Sequence, residues 1–147
     1  MKIIKEDPVL SYEFLEHTAD VIINAKGKDL KEAFEQAALG FYDMITDLAI
    51  IDTKIELEIE FESEDYESLL YDWIDWLIYY FDTIHFISNK IQVITLEKIN
   101  ESKITFKATL KGEKFNLEKH TQGTEVKAMT YSFMKIGDNF VEFTLDL

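Results

Sequence analysis

Ile55-Glu56-Leu57-Glu58-Ile59-Glu60-Phe61-Glu62 alternates apolar and acidic residues without a break, and Tyr66, Leu69, Leu70, Trp73, Ile74, Leu77 and Ile78 then recur at intervals of three and four. The first pattern has the period of two that belongs to a strand with one face buried and one in water. The second has the period of a helix, from about Asp65 to Phe81. Ser63, Glu64, Asp65 and Glu67 put acid at its start, where the helix dipole favours negative charge. A helix so rich in apolar residues belongs at the centre of a domain, and its other face carries Tyr71, Asp72, Asp75, Tyr79 and Asp82.

Outward from this unit the same two periods recur. Upstream, Leu30, Ala33, Phe34, Ala37, Ala38, Phe41, Met44 and Ile45 form one face of a helix over Leu30 to Ile45. Asp29, with Glu32 three residues on, makes a capping box at its start. Downstream, Ile91 to Leu96 is expected to pair with Ile104, Phe106, Ala108 and Leu110 through a turn near Asn100-Glu101-Ser102. Glu125 to Ile136 and Phe140 to Asp146 read as a hairpin around Gly137-Asp138-Asn139. Tyr12 to Glu16 and Val21 to Ala25 supply short strands near the start. Helices and strands segregated in this way predict an α+β fold: one domain over residues 1–147, two main helices packed on an antiparallel or mixed sheet.

Composition narrows the functions. A length of 147 residues with 47% hydrophobic and 30% charged suits one globular domain and excludes wholesale disorder. There is no Cys, which excludes disulfides, zinc ribbons and thiol nucleophiles. The formal net charge is −14, and all 15 basic residues are Lys. Direct nucleic-acid binding needs a basic patch and usually Arg on phosphate, so neither RNA nor DNA is an expected direct ligand. The most apolar run, Trp76 to Phe81, is too short to span a bilayer, and the opening MKIIKEDP lacks the apolar core of a secretory signal. A cytoplasmic protein with no membrane association is the expectation.

Familiar catalytic chemistry has no foothold. The five glycines stand far apart, which excludes a phosphate-cradling loop. No G-x-S-x-G, H-E-x-x-H or calcium-binding EF-hand pattern occurs. His17, His85 and His120 are scattered. Composition and spacing therefore describe an acidic α+β domain and disclose no reaction.

The stretch Phe14-Leu15-Glu16-His17-Thr18-Ala19-Asp20-Val21 is more specific. Taken alone, such a polar cluster between strands is a turn. It closely resembles the hallmark of the archease family, and other archease-like features follow in order: the first helix ending in Met44-Ile45-Thr46-Asp47, the second with Leu69-Leu70 and Trp73 to Leu77, then Gly112-Glu113, His120, and Glu125 to Tyr131. The ending Asp146-Leu147 is similar to the acidic-then-aliphatic ending of the family. Ile22 stands where the family usually has Gly, and Ser132 where it often has His.

This resemblance implies an accessory protein of the RtcB-type RNA ligase of tRNA splicing. Such a protein promotes guanylylation of the ligase and its repeated turnover, broadens its nucleotide choice, and is not itself an enzyme. It also implies a divalent cation, calcium-like, on Asp20, Asp146 and Leu147. A hard cation suits carboxylates and a terminal carboxylate at Leu147. In the last strand, period two puts Val141, Phe143, Leu145 and Leu147 on one face and Glu142, Thr144 and Asp146 on the other, away from the apolar set. Asp20 beside Asp146 is repulsive unless a metal, or Lys127, sits between them. His17 reads either as a partner of the ligands or as a structural histidine, and Asp146 alone as a frayed end. The acidic balance suits docking on a basic ligase surface. The competing readings are a general protein-binding or chaperone-like module, with the Trp73 to Phe81 segment partly exposed, and an enzyme with a carboxylate–metal site of its own.

Overall fold

A computed structural model describes residues 2–4, 11–16 and 20–147, with side chains over 11–14 and 20–147. The elements in chain order are β1 (Lys2–Ile4), β2 (Tyr12–Glu16), β3 (Asp20–Lys26), α1 (Leu30–Ile45), a short 3₁₀ turn (Leu48–Ile50), β4 (Ile55–Ser63), α2 (Tyr66–Ile84), β5 (Phe86–Asn100), β6 (Lys103–Lys114), β7 (Ala128–Ile136) and β8 (Phe140–Asp146). The strands form two sheets, each antiparallel at every pairing. One has five strands in the order β1-β2-β3-β8-β7, the other three in the order β4-β6-β5. The α+β expectation holds, with two antiparallel sheets where one antiparallel or mixed sheet was expected.

Both helices join the sheets. α1 packs on β3 and β8 of the larger sheet and on β5 of the smaller; α2 packs on β7 of the larger and on β4 and β6 of the smaller. Trp73 of α2 is fully buried, and its indole N–H donates to the Phe34 carbonyl of α1 at 3.0 Å. Phe106 of β6 lies against Trp73, Phe61 and Phe34, with ring centroids 4.8, 5.0 and 5.6 Å away. These rings tie β4, β6 and both helices into one core, and tilted aromatic pairs add to the stabilisation from burial alone.

α1 has the bounds its periodicity predicts. The Asp29 side chain accepts from the Glu32 amide at 2.9 Å, and Glu32 reaches back to the Lys28 amide at 3.3 Å. α2 starts on a closed capping box between Asp65 and Ser68, and it outlasts the expected Phe81 end by three residues. Its apolar period fades at Asp82-Thr83, but backbone hydrogen bonding continues until His85. There the chain turns left-handed (φ 58°), with the His85 N–H on the Phe81 carbonyl.

The strands depart from expectation where the ladder is irregular. β5 is 15 residues long and contains Ile91 to Leu96 as its middle. Its register on β6 shifts at Ser88/Lys90, Val93/Thr95 and Lys98/Asn100. Each shift breaks the alternation that would have shown its length. β7 begins at Ala128, not Glu125, because residues 115–127 form an irregular connection. The hairpin turn at Gly137-Asp138-Asn139 forms, with the Gly137 N–H on the Phe140 carbonyl at 2.9 Å. Among the described residues no helix is long and apolar enough to cross a membrane.

Candidate functional site

β3 begins where β8 ends. The two strands are antiparallel neighbours, and their register sets Asp20 directly opposite Asp146, Val21 opposite Leu145 and Ile22 opposite Thr144. Period two then decides the faces. Val21, Ile23 and Ala25 with Val141, Phe143 and Leu145 are buried against α1, so Asp20 and Asp146 share the other face. The polar row continues below them, where Asn24 donates to Glu142 across the strands at 3.1 Å. Asp20 is half-buried and Asp146 exposed, while half-buried Leu147 packs on the core.

β7 closes the other flank. Ala128 pairs with Asp146, and the Lys127 N–H donates to the Asp146 carbonyl at 2.9 Å. Lys127 thus meets Asp146 through its main chain. Among the described residues its ammonium makes no ion pair, so the geometry gives no support to Lys127 as the charge between the carboxylates. His17, with Thr18 and Ala19, lies outside the described residues.

Further along, β7 and β8 lose register between Thr130 and Lys135, where four β7 residues face one β8 residue. Phe133 takes a positive φ of 57° in this bulge, which turns the Ser132 carbonyl onto the Thr144 hydroxyl at 2.7 Å. Thr144 therefore lies on the face that parity assigns it, yet is fully buried beneath the bulge. The Ser132 N–H donates to the Thr130 hydroxyl, which donates in turn to the Ser132 hydroxyl oxygen, both at 3.1 Å, so Ser132 is part of this local fold. Ile22 lies within regular strand with no positive φ; the backbone beside Asp20 does not depend on a glycine there.

The chemistry open to this strand end follows from its donors. Two like charges directly opposite on a strand pair repel. A cation between them removes that repulsion, and carboxylate and main-chain oxygens suit a hard ion with many oxygen ligands, not zinc. Among the described residues there is no group of three or more His, Cys, Asp and Glu side chains placed to hold a metal. Among those residues, the oxygens that the strand end offers beside Asp20 and Asp146 are main-chain ones.

A second polar centre holds the connection that leads to Lys127. Glu113, near the end of β6, is buried. Its Oε2 accepts from the Asp52 N–H at 2.8 Å, from the Lys119 ammonium at 2.7 Å and from His120 Nε2 at 2.9 Å. His120 Nδ1 accepts the Asn116 N–H at 2.9 Å, so the ring proton is on Nε2 and points at Glu113. Burial pushes the Glu113 carboxyl up, but these donors outweigh it and bring it down to about 2. Hydrogen bonds to Asp52 and Glu113 in turn hold the Lys119 ammonium above its usual range. Gly112 beside it is required by space: a Cβ there would stand 1.8 Å from the Ile87 carbonyl oxygen at the β5 irregularity. The same connection crosses the end of α1, where the Gly123 and Thr124 N–H groups each take a terminal carbonyl at 2.8 Å. Sequence reading noted Gly112-Glu113 and His120 only as matching features. Their seven-residue spacing is no motif, and Lys119 and Asp52 carry no sequence signal.

Known proteins share this architecture. The chain is 43% identical over 140 residues to "Protein archease" of Sulfolobus acidocaldarius, covering 92% of this chain and 98% of that one. It is 42% identical to "Protein archease" of Pyrococcus furiosus over 85% of this chain and 87% of the relative, and 42% identical to that of Danio rerio over 85% and 76%. The solution structure of Methanobacterium thermoautotrophicum protein 1598 superposes with a TM-score of 0.77 at 34% identity, covering 93% of this chain and 99% of that one. The Archease protein family (MTH1598/TM1083) matches residues 12–147. With Asp20 inside that span and Asp146-Leu147 closing it, the chain belongs to the archease family.

Proposed function

We propose that this chain is the accessory protein of an RtcB-type RNA ligase, promoting the ligase's guanylylation and repeated turnover and widening its nucleotide choice. It carries a divalent cation, calcium by the chemistry of its donors, on Asp20, Asp146 and a main-chain oxygen of Leu147. The observation that carries this reading is the register of β3 on β8, which sets the two carboxylates opposite each other in an archease chain. When bound, the ion supplies a hard positive charge at an otherwise acidic edge. The chain's own residues do the rest. Asp20 and Asp146 bind it from neighbouring strands, the Lys127 N–H fixes the Asp146 backbone, and the Glu113–His120 clamp holds the connection from which Lys127 emerges.

The protein acts in the cytoplasm on the ligase and not on RNA. A net charge of −14 without a single Arg gives RNA no phosphate-binding surface, and it favours a basic protein partner. No nucleophile–base pair or phosphate loop equips it to turn over nucleotide by itself.

The test is guanylylation of the cognate ligase under multiple turnover, with intact protein, Asp20→Ala and Asp146→Ala. Stimulation by the intact protein, lost in both variants while their circular dichroism is unchanged, is the expected result. A ligase that guanylylates at the same rate with and without the protein overturns the proposal.

A further inference from the structure

Between Lys54 and Lys90 the chain has no basic residue other than His85, but ten acids. α2 lies in this stretch, and its solvent face is unusually aromatic. Trp76 is 37% exposed and Tyr79 52%. Their rings stand at 90° with centroids 5.6 Å apart, while Tyr80 lies nearly parallel to the indole at 5.8 Å. Asp75, Trp76 and Tyr79 line a shallow recess of about 320 Å³. One wall is thus a carboxylate and two are aromatic faces.

We propose that the Asp75–Trp76–Tyr79 recess is a docking site for an arginine side chain on a basic partner protein. A flat, weakly hydrated guanidinium stacks on an indole and forks onto a carboxylate at the same time, whereas a compact ammonium does only the second well. Asp75 is exposed and makes no ion pair among the described residues. Partial desolvation and then the neighbouring Asp72 carboxylate hold its carboxyl above the usual range. Asp72 itself is occupied, accepting from the Ser63 hydroxyl at 2.6 Å. A second copy of this chain cannot supply the occupant, because the sequence contains no Arg. The site is separate from the proposed cation ligands, none of which α2 contributes, and it stands whether or not the ligase reading does.

The experiment is an amide and indole NMR titration of the full chain with three peptides of one Gly/Ser scaffold carrying arginine, lysine or citrulline. Expected are shifts of the Trp76 indole and of residues 75–79 with the arginine peptide. The lysine peptide should bind about fivefold more weakly and the citrulline peptide not measurably. Asp75→Asn should weaken arginine-peptide binding about tenfold, whereas Asp82→Asn, on the same helix outside the recess, should change it little. The proposal is overturned by equal response to lysine or citrulline, by shifts centred elsewhere, by equal loss in the two variants, or by no arginine-peptide binding. Trp76-dependent self-association without peptide response would assign the face to a second copy and also overturn it.

Discussion

Asp20 and Asp146, 126 positions apart in sequence, are direct cross-strand partners at the end of the β3–β8 pair. Like charges so placed cost stability when nothing lies between them. Removing one charge and adding a cation should therefore act in opposite directions on the same pair. In chelator, Asp146→Asn should leave stability unchanged or raise it by about 0.2–1 kcal/mol. In calcium, the wild-type melting temperature should rise with ion concentration, reflecting a stabilisation of about 2.7 kcal/mol at a hundredfold excess over the dissociation constant. The variant should lose that rise. Thermal unfolding of both proteins with and without calcium reads all four values, and an equal calcium effect on both would remove Asp146 from the ligand set.

The Glu113 carboxyl sits at about 2 in the fold, against an ordinary value of 4.5. A depressed folded value means the stabilisation is complete above about 4.5 and is lost as pH falls toward 2. Urea midpoints from pH 7 down to pH 2 should therefore show a decline that is less steep in Glu113→Gln. At pH 7, Glu113→Ala should cost about 1.5–3 kcal/mol, because a charge-assisted set of hydrogen bonds is lost and the buried His120 N–H is left unpaired. A parallel acid limb in the glutamine variant would show that the clamp does not titrate as argued.

How much of this was legible follows from which signals are local. α1 and β4 can be read because their periods are unbroken, and the Asp29 cap is short-range chemistry, although Glu32 reaches back to the Lys28 amide and not to that of Asp29. Parity put Asp146 on the face away from Val141 and Leu145, where the strands hold it. Its position opposite Asp20 is a long-range register that no single strand encodes. The β5 irregularities and the β7 bulge shift the parity in mid-strand, and at the start of β5 Phe86, Ile87 and Ser88 are all buried in succession, so alternation marks the extent of neither strand. The division into two sheets was invisible for the same reason as the Glu113–His120–Lys119 clamp. Both depend on which distant segments the helices bring together. The exposed aromatic face of α2 was partly legible: Tyr79 was assigned to the polar side, but Trp76, three residues past the core Trp73, is exposed as well.

His85 ends α2 in the left-handed region at φ 58°, a conformation that costs a residue with a β-carbon about 1–2 kcal/mol. Its ring meets Phe81 edge-on with centroids 6.1 Å apart, toward the long end of the range for aromatic pairs, a contact that offsets only part of that cost. His85→Gly should raise the urea midpoint, with a net gain of about 0.5–1 kcal/mol after the added flexibility of the unfolded chain is counted. A lower midpoint would mean that the imidazole does more at the helix end than the geometry shows.

The acidic surface makes the docking reading open to a test by salt alone. Opposite fields speed encounter, and the effect is screened over about 8 Å at physiological ionic strength. If the −14 charge steers this protein to a basic ligase surface, the association rate should fall steeply between 50 and 300 mM salt, roughly tenfold or more, while the dissociation rate changes little. Stopped-flow or surface-binding kinetics separate the two rates. Rates indifferent to salt would leave the acids as a solvated surface and place the affinity in uncharged contacts.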